Sequence, residues 1–553
     1  MSRRLLGLAW FCALSAAARA DGTVRLSVDR SRNDGDGASH APAMTPDARF
    51  VAFASDAGDL VRDDTNGVTD VFVRDRLSGS TERVSVDSDE RQADGPSFDP
   101  SISADGRFVA FTSSAGNLVA GDTNHWSDVF VRDRRRRVTF RVSVSSDGGQ
   151  GSEGSFLAAV SADGSTVAFA SQAPDLVPDD RNFSWDVFVH ELESGRTERV
   201  SLDSAGGEGD SGSFDPALSA DGRFVAFASL ASNLAPGDDN ALFDVYLRDR
   251  TSGTTWRVSR GLDGADPDGH SLRPALSADG EIVAFESLAS NLVAGDRNGS
   301  SDVFLLDRGT GLLSRVSVAS SGAEAGGASF APALTPSGRW VAFTSSARDL
   351  VADDGNGVDD VFVHDRRTAL TARASLAVAG GEADGASGEG CLSGDADNVA
   401  FSSAASNLVA NDRNRAVDVF ARERCVREAS SAHYGEGWPG TLGEPAILLD
   451  GDPELNRELR ITLTNSRGEP TPALLVIGRR KIALPTDRDG LLLAEPEVVE
   501  LLCIPADGLV LDCPLPPDEG ACGAEFDLQL IEFDPGASKS ASFSRGIELI
   551  LGY

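Results

Sequence analysis

Short apolar runs alternate with polar turns along most of this chain. In one stretch, RFVAFTS at residues 107–113 alternates large and small side chains, and a tight Ala-Asp-Gly turn at 104–106 precedes it. Runs rich in Val, Ile, Phe and Thr are typical of half-buried strands. The pattern predicts four strands in this stretch, at 100–103, 107–113, 128–134 and 139–144.

This pattern recurs seven times at a fixed spacing of 58 residues, without insertion or deletion. Four strands per tandem unit are typical of β-propeller blades, and the end repeats do not look like the caps of a solenoid. We therefore predict an all-β fold with a seven-bladed β-propeller. The Val-Ala-Phe triplet of each second strand ends at Phe53, Phe111, Phe169, Phe227, Phe285, Phe343 and Phe401.

The fourth-strand motif predicts how the ring closes. Arg-Val-Ser recurs at 83, 141, 199, 257 and 315 and becomes Arg-Ala-Ser at 373, but residues 431–433 (SAH) do not continue it. The missing copy stands at the other end, at residues 25–28 (RLSV). We expect this N-terminal strand to complete the seventh blade.

The repeated motifs SADGRFVAF, DVFVRDR and RVSV resemble TolB-type, WD-like propeller repeats of exported bacterial proteins. The resemblance covers residues 22–427, although the present repeats are longer and number seven rather than six. It implies a protein-binding platform, and some propellers of this kind are fused to enzymes.

Charge narrows the possible partners. The chain has 50 basic and 86 acidic side chains and a net charge of −36. A phosphate backbone needs a basic surface, so nucleic acid is excluded as an expected partner. Apolar content of 41% is ordinary for a globular protein.

Residues 1–20 read as a secretory signal peptide, with a basic start, an apolar stretch and an Ala-Arg-Ala cleavage site ending at Ala20. No later segment is apolar enough to span a membrane. We expect a secreted or periplasmic monomer whose propeller occupies residues 21–427.

An Asp-x-Asn-x-x-x-Asp motif in each second-to-third loop offers oxygen ligands of the kind Ca²⁺ prefers. The alternative, which we favour, is that these side chains cap their own turns, because Asp75 at the twelfth position of the first motif lies too far along a strand to complete a calcium loop. The candidate ligands are Asp64, Asn66, Asp70, Asp122, Asn124, Asp128, Asp180, Asn182, Asp186, Asp238, Asn240, Asp244, Asp296, Asn298, Asp302, Asp354, Asn356, Asp360, Asp412, Asn414 and Asp418.

Loop lengths distinguish the two faces of the ring. The first-to-second and third-to-fourth turns are short and share one face, whereas the long second-to-third and inter-blade loops share the other. Function usually lies on loops that a rigid scaffold carries. Aromatic side chains lie on this long-loop face at 125–126 (HW), Phe183, Trp185 and 242–243 (LF). Three alternative roles fit them: stacking on a sugar, contact with a protein partner, or packing on neighbouring loops.

The sequence carries no convincing catalytic motif. Residues 209–212 (GDSG) imitate a serine-protease nucleophile motif, with Asp215 and His270 as conceivable partners, but a triad is defined by geometry rather than by four residues. Carboxylate pairs for glycoside hydrolysis stay open because acidic residues are abundant.

Residues 428–445 are predicted to be a linker and residues 446–553 a β-sandwich-like domain, because short apolar runs alternate there with turns. In an oxidising compartment we expect a disulfide between Cys391 and Cys425. The pairing of Cys503, Cys513 and Cys522 stays open, with one thiol left over.

These observations predict a non-enzymatic binding or scaffold protein that presents an acidic loop face to a protein or glycan. One alternative is a carbohydrate-active or other hydrolase that uses the central funnel. Another is a calcium-dependent adhesion module. No cofactor other than Ca²⁺ is expected.

Overall fold

The computed structural model describes residues 22–378, 380–424, 430–439, 441–451, 453, 458–486, 491–494, 496, 498–515, 525–537 and 540–550. The chain divides into a compact unit at Gly22–Glu423 and a second unit that begins at Arg424. The signal-like segment and Cys425, the expected partner of Cys391, lie outside the described residues, as does Cys522.

The first domain is built from short antiparallel strands. A 3-10 helix at Leu262–Gly264 interrupts one inter-blade loop. The strands are β1 (Thr23–Arg25), β2 (Ser39–Met44), β3 (Phe50–Ser55), β4 (Asp70–Asp75), β5 (Ser80–Arg83), β6 (Ser97–Ile102), β7 (Phe108–Ser113), β8 (Asp128–Asp133), β9 (Val138–Arg141), β10 (Ser155–Val160), β11 (Thr166–Ser171), β12 (Asp186–Glu191), β13 (Thr197–Arg199), β14 (Ser213–Leu218), β15 (Phe224–Ser229), β16 (Asp244–Asp249), β17 (Thr254–Arg257), β18 (Ser271–Leu276), β19 (Ile282–Ser287), β20 (Asp302–Asp307), β21 (Leu312–Arg315), β22 (Ser329–Leu334), β23 (Trp340–Ser345), β24 (Asp360–Asp365), β25 (Leu370–Arg373), β26 (Ser387–Leu392), β27 (Asn398–Ser403) and β28 (Asp418–Glu423).

These strands form seven four-stranded sheets, which confirms the seven-bladed propeller. Blades 1 to 6 are β2–β5, β6–β9, β10–β13, β14–β17, β18–β21 and β22–β25 in order, and blade 7 is β26–β28 with β1. The innermost strands β2, β6, β10, β14, β18, β22 and β26 contact one another in a closed circle. Sheets of this size and arrangement surround a central channel.

Blade 2 shows how the sequence forms each sheet. Phe111 and Phe130 face each other across β7 and β8, with ring centroids 6.0 Å apart, and both are fully buried. Phe111 also packs against Ala52 and Val73 of blade 1, so the large residues of one blade fill the space beside the small residues of the next. The alternation seen in the sequence is therefore the packing between blades.

The first strand of blade 2 begins three residues earlier than predicted, at Ser97 rather than Pro100. Its register shifts between Phe98 and Ser101, where a β-bulge interrupts the pairing with β7. The bulge includes Pro100, which has no N–H to donate to a partner strand. The sequence pattern therefore indicated a strand only from Pro100 onward and missed the residues before the bulge.

Ring closure follows the sequence prediction. β1 pairs antiparallel with β28, and Arg25 stands opposite Phe420. The backbone N–H of Leu26 continues the pairing with a 2.8 Å hydrogen bond to the carbonyl of Val419. The N-terminal strand thus supplies the fourth strand of the last blade.

The second domain is also all-β. Its strands are β29 (Ser430–Tyr434), β30 (Ile447–Asp450), β31 (Glu458–Leu463), β32 (Thr471–Gly478), β33 (Lys481–Pro485), β34 (Leu491–Ala494), β35 (Val498–Ile504), β36 (Leu509–Pro514), β37 (Glu525–Glu532), β38 (Ser542–Phe543) and β39 (Gly546–Ile550).

Two sheets of this domain share one core, which confirms the predicted sandwich. One sheet has the order β29-β39-β37-β32-β35 and the other β30-β31-β36. Ile461 and Leu511 of the smaller sheet belong to the same buried cluster as Leu475, Leu528 and Ile547 of the larger. Burial of one apolar face per sheet explains why the alternating runs form two packed layers.

The linker predicted at 428–445 is wrong in part, because residues 430–434 form strand β29 and pair with β39. This segment has no apolar alternation of its own, and pairing with the C-terminal strand determines its structure. Cys513 lies in the buried core of this domain, whereas Cys503 is exposed on β35. No helix in the described part of the chain is long and apolar enough to cross a membrane.

Candidate functional site

An arginine joins the two aspartates of every Asp-x-Asn-x-x-x-Asp loop. In blade 1, Nη1 of Arg83 lies 3.0 Å from Oδ1 of Asp64 and 3.3 Å from Oδ2 of Asp70. The hydroxyl of Ser85 donates to the other oxygen of Asp70. The same two ion pairs recur in the other blades through Arg25, Arg141, Arg199, Arg257, Arg315 and Arg373.

The asparagine of each motif caps the turn. In blade 1, Oδ1 of Asn66 accepts a hydrogen bond from the N–H of Val68, and Nδ2 donates to Asp70 at 2.8 Å. Nδ2 also donates to the carbonyl of Ala93 in the following inter-blade loop, at 3.0 Å. Equivalent caps and loop-to-loop bonds occur in all seven blades. Asn66 therefore has the role that the capping interpretation gives it.

Sequence reasoning identified the Arg and the Ser of the fourth strand only as a strand motif. The Arg and Ser recur with the same 58-residue period as the aspartates, and this shared period was the signal that could have indicated a contact between them. Blade 6 illustrates this, because its Arg-Ala-Ser variant keeps both contacting residues, Arg373 and Ser375, and changes only the residue between them. The middle residue is buried, as Val142 in blade 2 and Ala374 in blade 6, and the change shortens an apolar side chain without removing a polar contact.

Burial dominates the electrostatics of these clusters. Removal from water raises the pKa of Asp180, Asp244, Asp296 and Asp418 to about 6, because desolvation outweighs the neighbouring arginine and hydrogen-bond donors. Asp75, the expected twelfth position of the first motif, lies elsewhere and pairs with Arg49 at 3.0 Å. This pairing lowers the pKa of Asp75 to about 2.

Blade 5 holds the densest group of carboxylates in the described part of the chain. Asp296, Asp302 and Glu324 each place an oxygen within 4.8 Å of the others. Arg315 lies among them, 2.6 Å from Glu324 and 3.1 Å from Asp302. Blade 2 has Gln150 where blade 5 has Glu324, and Nε2 of Gln150 donates to Asp122 at 3.0 Å. Calcium binding at these loops stays a prediction.

The conceivable serine triad is not joined by hydrogen bonds in the described structure. Nδ1 of His270 accepts a bond from the N–H of Phe243 at 3.0 Å. Asp210, beside Ser211, accepts bonds from the backbone and hydroxyl of Ser232. The Gly-Asp-Ser-Gly sequence is thus part of a loop cap.

Five aromatic rings form a continuous row on the long-loop face, which we call the aromatic arc. Ring centroids are 5.6 Å apart for the first pair, then 5.7, 6.0 and 5.8 Å. Each ring is half-buried. The arc consists of Phe156, Trp185, Phe214, Phe243 and His270 and runs from blade 3 to blade 5.

The positions of the arc explain how it forms. Phe156 and Phe214 are second residues of the innermost strands β10 and β14. Trp185 and Phe243 are the last residues of the second-to-third loops of blades 3 and 4, directly before β12 and β16. A Cβ at Gly212 would lie 3.0 Å from the ring of Phe214, so a glycine there leaves room for the ring. Of the loop aromatics predicted from the sequence, Trp185 and Phe243 therefore pack on strand aromatics that sequence reasoning did not include.

The arc breaks the sevenfold pattern. At the position of Trp185 the other blades carry Thr69, Ser127, Phe243, Ser301, Asp359 and Val417. The propeller therefore forms without an aromatic residue at this position in five of its seven blades. Packing of the blades does not by itself account for the arc.

Two further aromatic side chains are exposed on the second-to-third loops, Trp126 in blade 2 and Phe183 in blade 3. Phe183 is 75% exposed and Trp126 is 51% exposed. Phe183 has a left-handed backbone conformation with φ 53°, at a position where three sister loops carry Gly67, Gly299 and Gly357. A bulky residue is disfavoured there, and its exposed ring gains no burial in return.

The β-bulges of the innermost strands share a backbone conformation but differ in side chain from blade to blade. All seven bulges hold a non-glycine residue with φ between 49° and 58°, namely Ala41, Asp99, Leu157, Asp215, Arg273, Ala331 and Glu389. Burial raises the pKa of Asp99 and of Asp215. Oε2 of Glu389 accepts the N–H of Ala41 in the next blade, at 2.8 Å.

No protein-family model matches the sequence, and a search of curated proteins found no match. The chain is similar to solved TolB and WD40 propellers. A TolB-like protein from Agrobacterium tumefaciens is 16% identical over 53% of this chain and 83% of that chain, with a TM-score of 0.34. The WD40 repeats of RRP9 are 12% identical over 74% of this chain and 99% of that chain, with a TM-score of 0.36.

The extracellular domain of a hybrid two-component system from B. thetaiotaomicron is 9% identical, over 81% of this chain and 46% of that chain, with a TM-score of 0.37. At such identities the likeness concerns the fold alone. Function has to be argued from the residues of the site.

Proposed function

We propose that this chain is an exported, non-enzymatic binding or scaffold protein that presents the long-loop face of its propeller to a protein or glycan partner. The aromatic arc is the observation that carries this proposal. Five half-buried rings in contact lie on the face that also holds the two sets of long loops. Aromatic residues are enriched at the centres of binding surfaces because they bury much area with little loss of side-chain freedom.

The rest of the propeller supports a scaffold role. The Arg, Ser and Asn contacts repeat in every blade and tie neighbouring loops together, so the loops have a defined shape before any partner binds. A rigid loop loses little conformational entropy on binding. The repeated contacts therefore hold the loops in place, and the residues that break the repeat are free to select the partner.

The exposed side chain of Phe183 also supports the proposal that the partner binds the long-loop face. Its sister positions show that glycine satisfies the backbone there, so the aromatic side chain has no evident folding role. Strained residues with exposed side chains are concentrated at binding sites. Export is also part of the proposal and rests on the signal-like sequence at residues 1–20.

The test is a binding screen of the mature full chain against a glycan array and an array of extended peptides. The variant combines Trp185→Ser with Phe243→Ser, which introduces the residue that blades 2 and 5 carry at this position. Trp256→Ala is the matched control, since Trp256 is 37% exposed on β17 and outside the arc. We expect ligands that bind the wild type and the control but not the double variant; equal binding by all three proteins, or none, would refute the proposal.

A hydrolase that uses the central channel is the second candidate. The observation in its favour is that burial raises the pKa of Asp99 and Asp215 on the innermost strands, as a general acid requires. Hydrolysis of a polysaccharide panel by the wild type, lost in both Asp99→Asn and Asp215→Asn, would support it. Activity that survives both substitutions would exclude these residues.

A further inference from the structure

The loops around the aromatic arc are strongly acidic. The five long loops of blades 3 to 5, at residues 145–154, 172–185, 203–212, 230–243 and 260–270, contain thirteen Asp and Glu residues and two Arg residues. Two of these carboxylates, on Asp179 and Asp239, are exposed in the same loops that end at Trp185 and Phe243, and Asp179 pairs with the equally exposed Arg181 at 3.4 Å. Arg199 and Arg257 of the fourth strands pair with carboxylates of these loops, but thirteen acidic side chains still exceed four basic ones. The field at the arc is therefore negative and attracts cations.

Several of these carboxylates are held in place by the backbone. Asp210 accepts the N–H of Ser232 at 2.8 Å, and Asp268 accepts the N–H of Ser290 at 2.6 Å. These bonds to the second-to-third loops fix the acidic groups relative to the rings. A positively charged ligand would meet charges that are already oriented, so little reorganisation opposes binding.

The rings themselves favour the same ligand. The face of an aromatic ring has a negative electrostatic potential and attracts guanidinium or ammonium groups. Elsewhere in this propeller such contacts occur repeatedly, for example Arg308 over Trp256 at 5.2 Å and Arg107 over Phe108 at 4.4 Å. In the arc, no Arg–ring or Lys–ring contact of this kind involves Trp185, Phe214 or Phe243 in the described structure.

We propose that the aromatic arc binds an arginine- or lysine-rich segment of a protein partner, with cationic side chains against its rings and the acidic loops around them. This inference rests on the proposed function and specifies its ligand. An acidic glycan or a nucleic acid is repelled by the same field, and a neutral glycan gains nothing from it.

Intrinsic tryptophan fluorescence and calorimetry of the mature full chain test this with three probes. These are a short peptide of alternating Arg and Gly, the same peptide with Gln for Arg, and a neutral cello-oligosaccharide. We expect the Arg peptide to bind, with affinity that falls as salt rises, and the other two probes to bind at least roughly tenfold more weakly.

Matched variants separate the rings from the charges. Trp185→Ser with Phe243→Ser should weaken binding of the Arg peptide roughly tenfold, whereas Trp256→Ala should not. Asp179→Asn with Asp239→Asn should weaken binding and flatten its salt dependence. Glu193→Gln with Glu281→Gln removes two exposed charges on the opposite face, which carries the short turns. This variant should change neither the affinity for the Arg peptide nor its salt dependence.

The outcomes distinguish this inference from the function it rests on. The proposal of a cationic ligand would be overturned by equal binding of the Arg and Gln peptides. It would also be overturned if the Asp179→Asn, Asp239→Asn variant and the Glu193→Gln, Glu281→Gln variant lost affinity for the Arg peptide equally. If the oligosaccharide binds the wild type and not the ring variant, the arc is a binding site but its ligand is a glycan. If no probe here and no ligand of the arrays binds, both proposals fail.

Discussion

The hydroxyl of Ser27 donates a hydrogen bond of 2.6 Å to the carboxylate of Asp418, although 391 residues separate the two. Ser27 also accepts the backbone N–H of Val419 at 3.0 Å. In every other blade the equivalent Ser and Asp belong to the same sheet and lie 15 residues apart, as Ser143 and Asp128 do. The contact that stabilises each blade internally therefore also closes the ring.

Deletion of residues 21–30 should open the propeller. Removing β1 exposes the edge of β28 and leaves the buried carboxylate of Asp418 without Arg25 and Ser27. Exposed strand edges pair between molecules, so we expect aggregation, measured by size-exclusion chromatography with light scattering. A monomeric truncation as stable as the full chain would show that β1 does not close the ring.

The single substitution Ser27→Ala should lower the free energy of unfolding by about 1–3 kcal/mol, because Asp418 loses a buried hydrogen bond. Ser143→Ala removes the equivalent bond within blade 2 and is the matched comparison. Urea unfolding measures both. Similar losses are expected, and no loss for Ser27→Ala would contradict the role of this contact in closure.

The propeller should become more stable as the pH falls from about 7 to about 5. The pKa of Asp180, Asp244, Asp296 and Asp418 is raised to about 6 in the folded state, from 3.8. Such groups bind protons on folding, so their contribution is present below 3.8 and is lost as pH rises through 6. His364, whose pKa burial lowers to about 4, acts in the opposite sense, but four aspartates outweigh it.

Thermal melts across this pH range measure the effect. Asp296→Asn removes one of the titrating groups and should reduce the gain in midpoint on acidification. Further acidification reverses the trend, because the pKa of Asp75 is lowered to about 2 by Arg49 and this ion pair is lost in acid. A midpoint that falls steadily from pH 7 downward would contradict the raised pKa values.

Replacing the arginine of blade 5 should create a dependence on calcium. In Arg315→Gln the carboxylates of Asp296, Asp302 and Glu324 lose their internal cation. Loss of one partner of a buried ion pair costs about 3–5 kcal/mol, and Ca²⁺ can replace part of the lost interaction by binding the folded state. We expect calcium to raise the unfolding midpoint of the variant well above its value in chelator.

Arg141→Gln in blade 2 is the control, because Gln150 stands there in place of the third carboxylate and calcium should rescue it less. The wild type should respond little, since Arg315 already occupies the position between the carboxylates. A large rise for the wild type would instead support calcium binding at the loops themselves.

Phe183→Asn should separate folding from binding. Asn tolerates the left-handed conformation that Phe183 has at φ 53°, so we expect stability to be unchanged or raised by less than about 1 kcal/mol. Binding at the long-loop face should weaken. The reverse change, Gly299→Phe in blade 5, should cost about 1–2 kcal/mol at the equivalent position; a destabilised Phe183→Asn would show that the ring has a folding role.

The amino-acid sequence determined the blades, their number and their closure. Strand formation depends on local alternation, and a strict 58-residue period repeats that alternation seven times, so Arg25 could be assigned to the last blade from its spacing alone. Sequence did not locate the bulge at Asp99 or the strand at 430–434. A bulge interrupts the alternation that reveals a strand, and strand β29 exists because β39 pairs with it.

The tertiary structure decided the chemistry of the loops and of the binding face. Asp64 and Arg83 are 19 residues apart, and only pairing of β4 with β5 brings the guanidinium between the carboxylates. Trp185 was visible in the sequence as a loop aromatic, but its contacts with Phe156 and Phe214 join two neighbouring blades. Such contacts depend on the curvature of the closed ring, because it sets the distance between the loop of one blade and the first strand of the next.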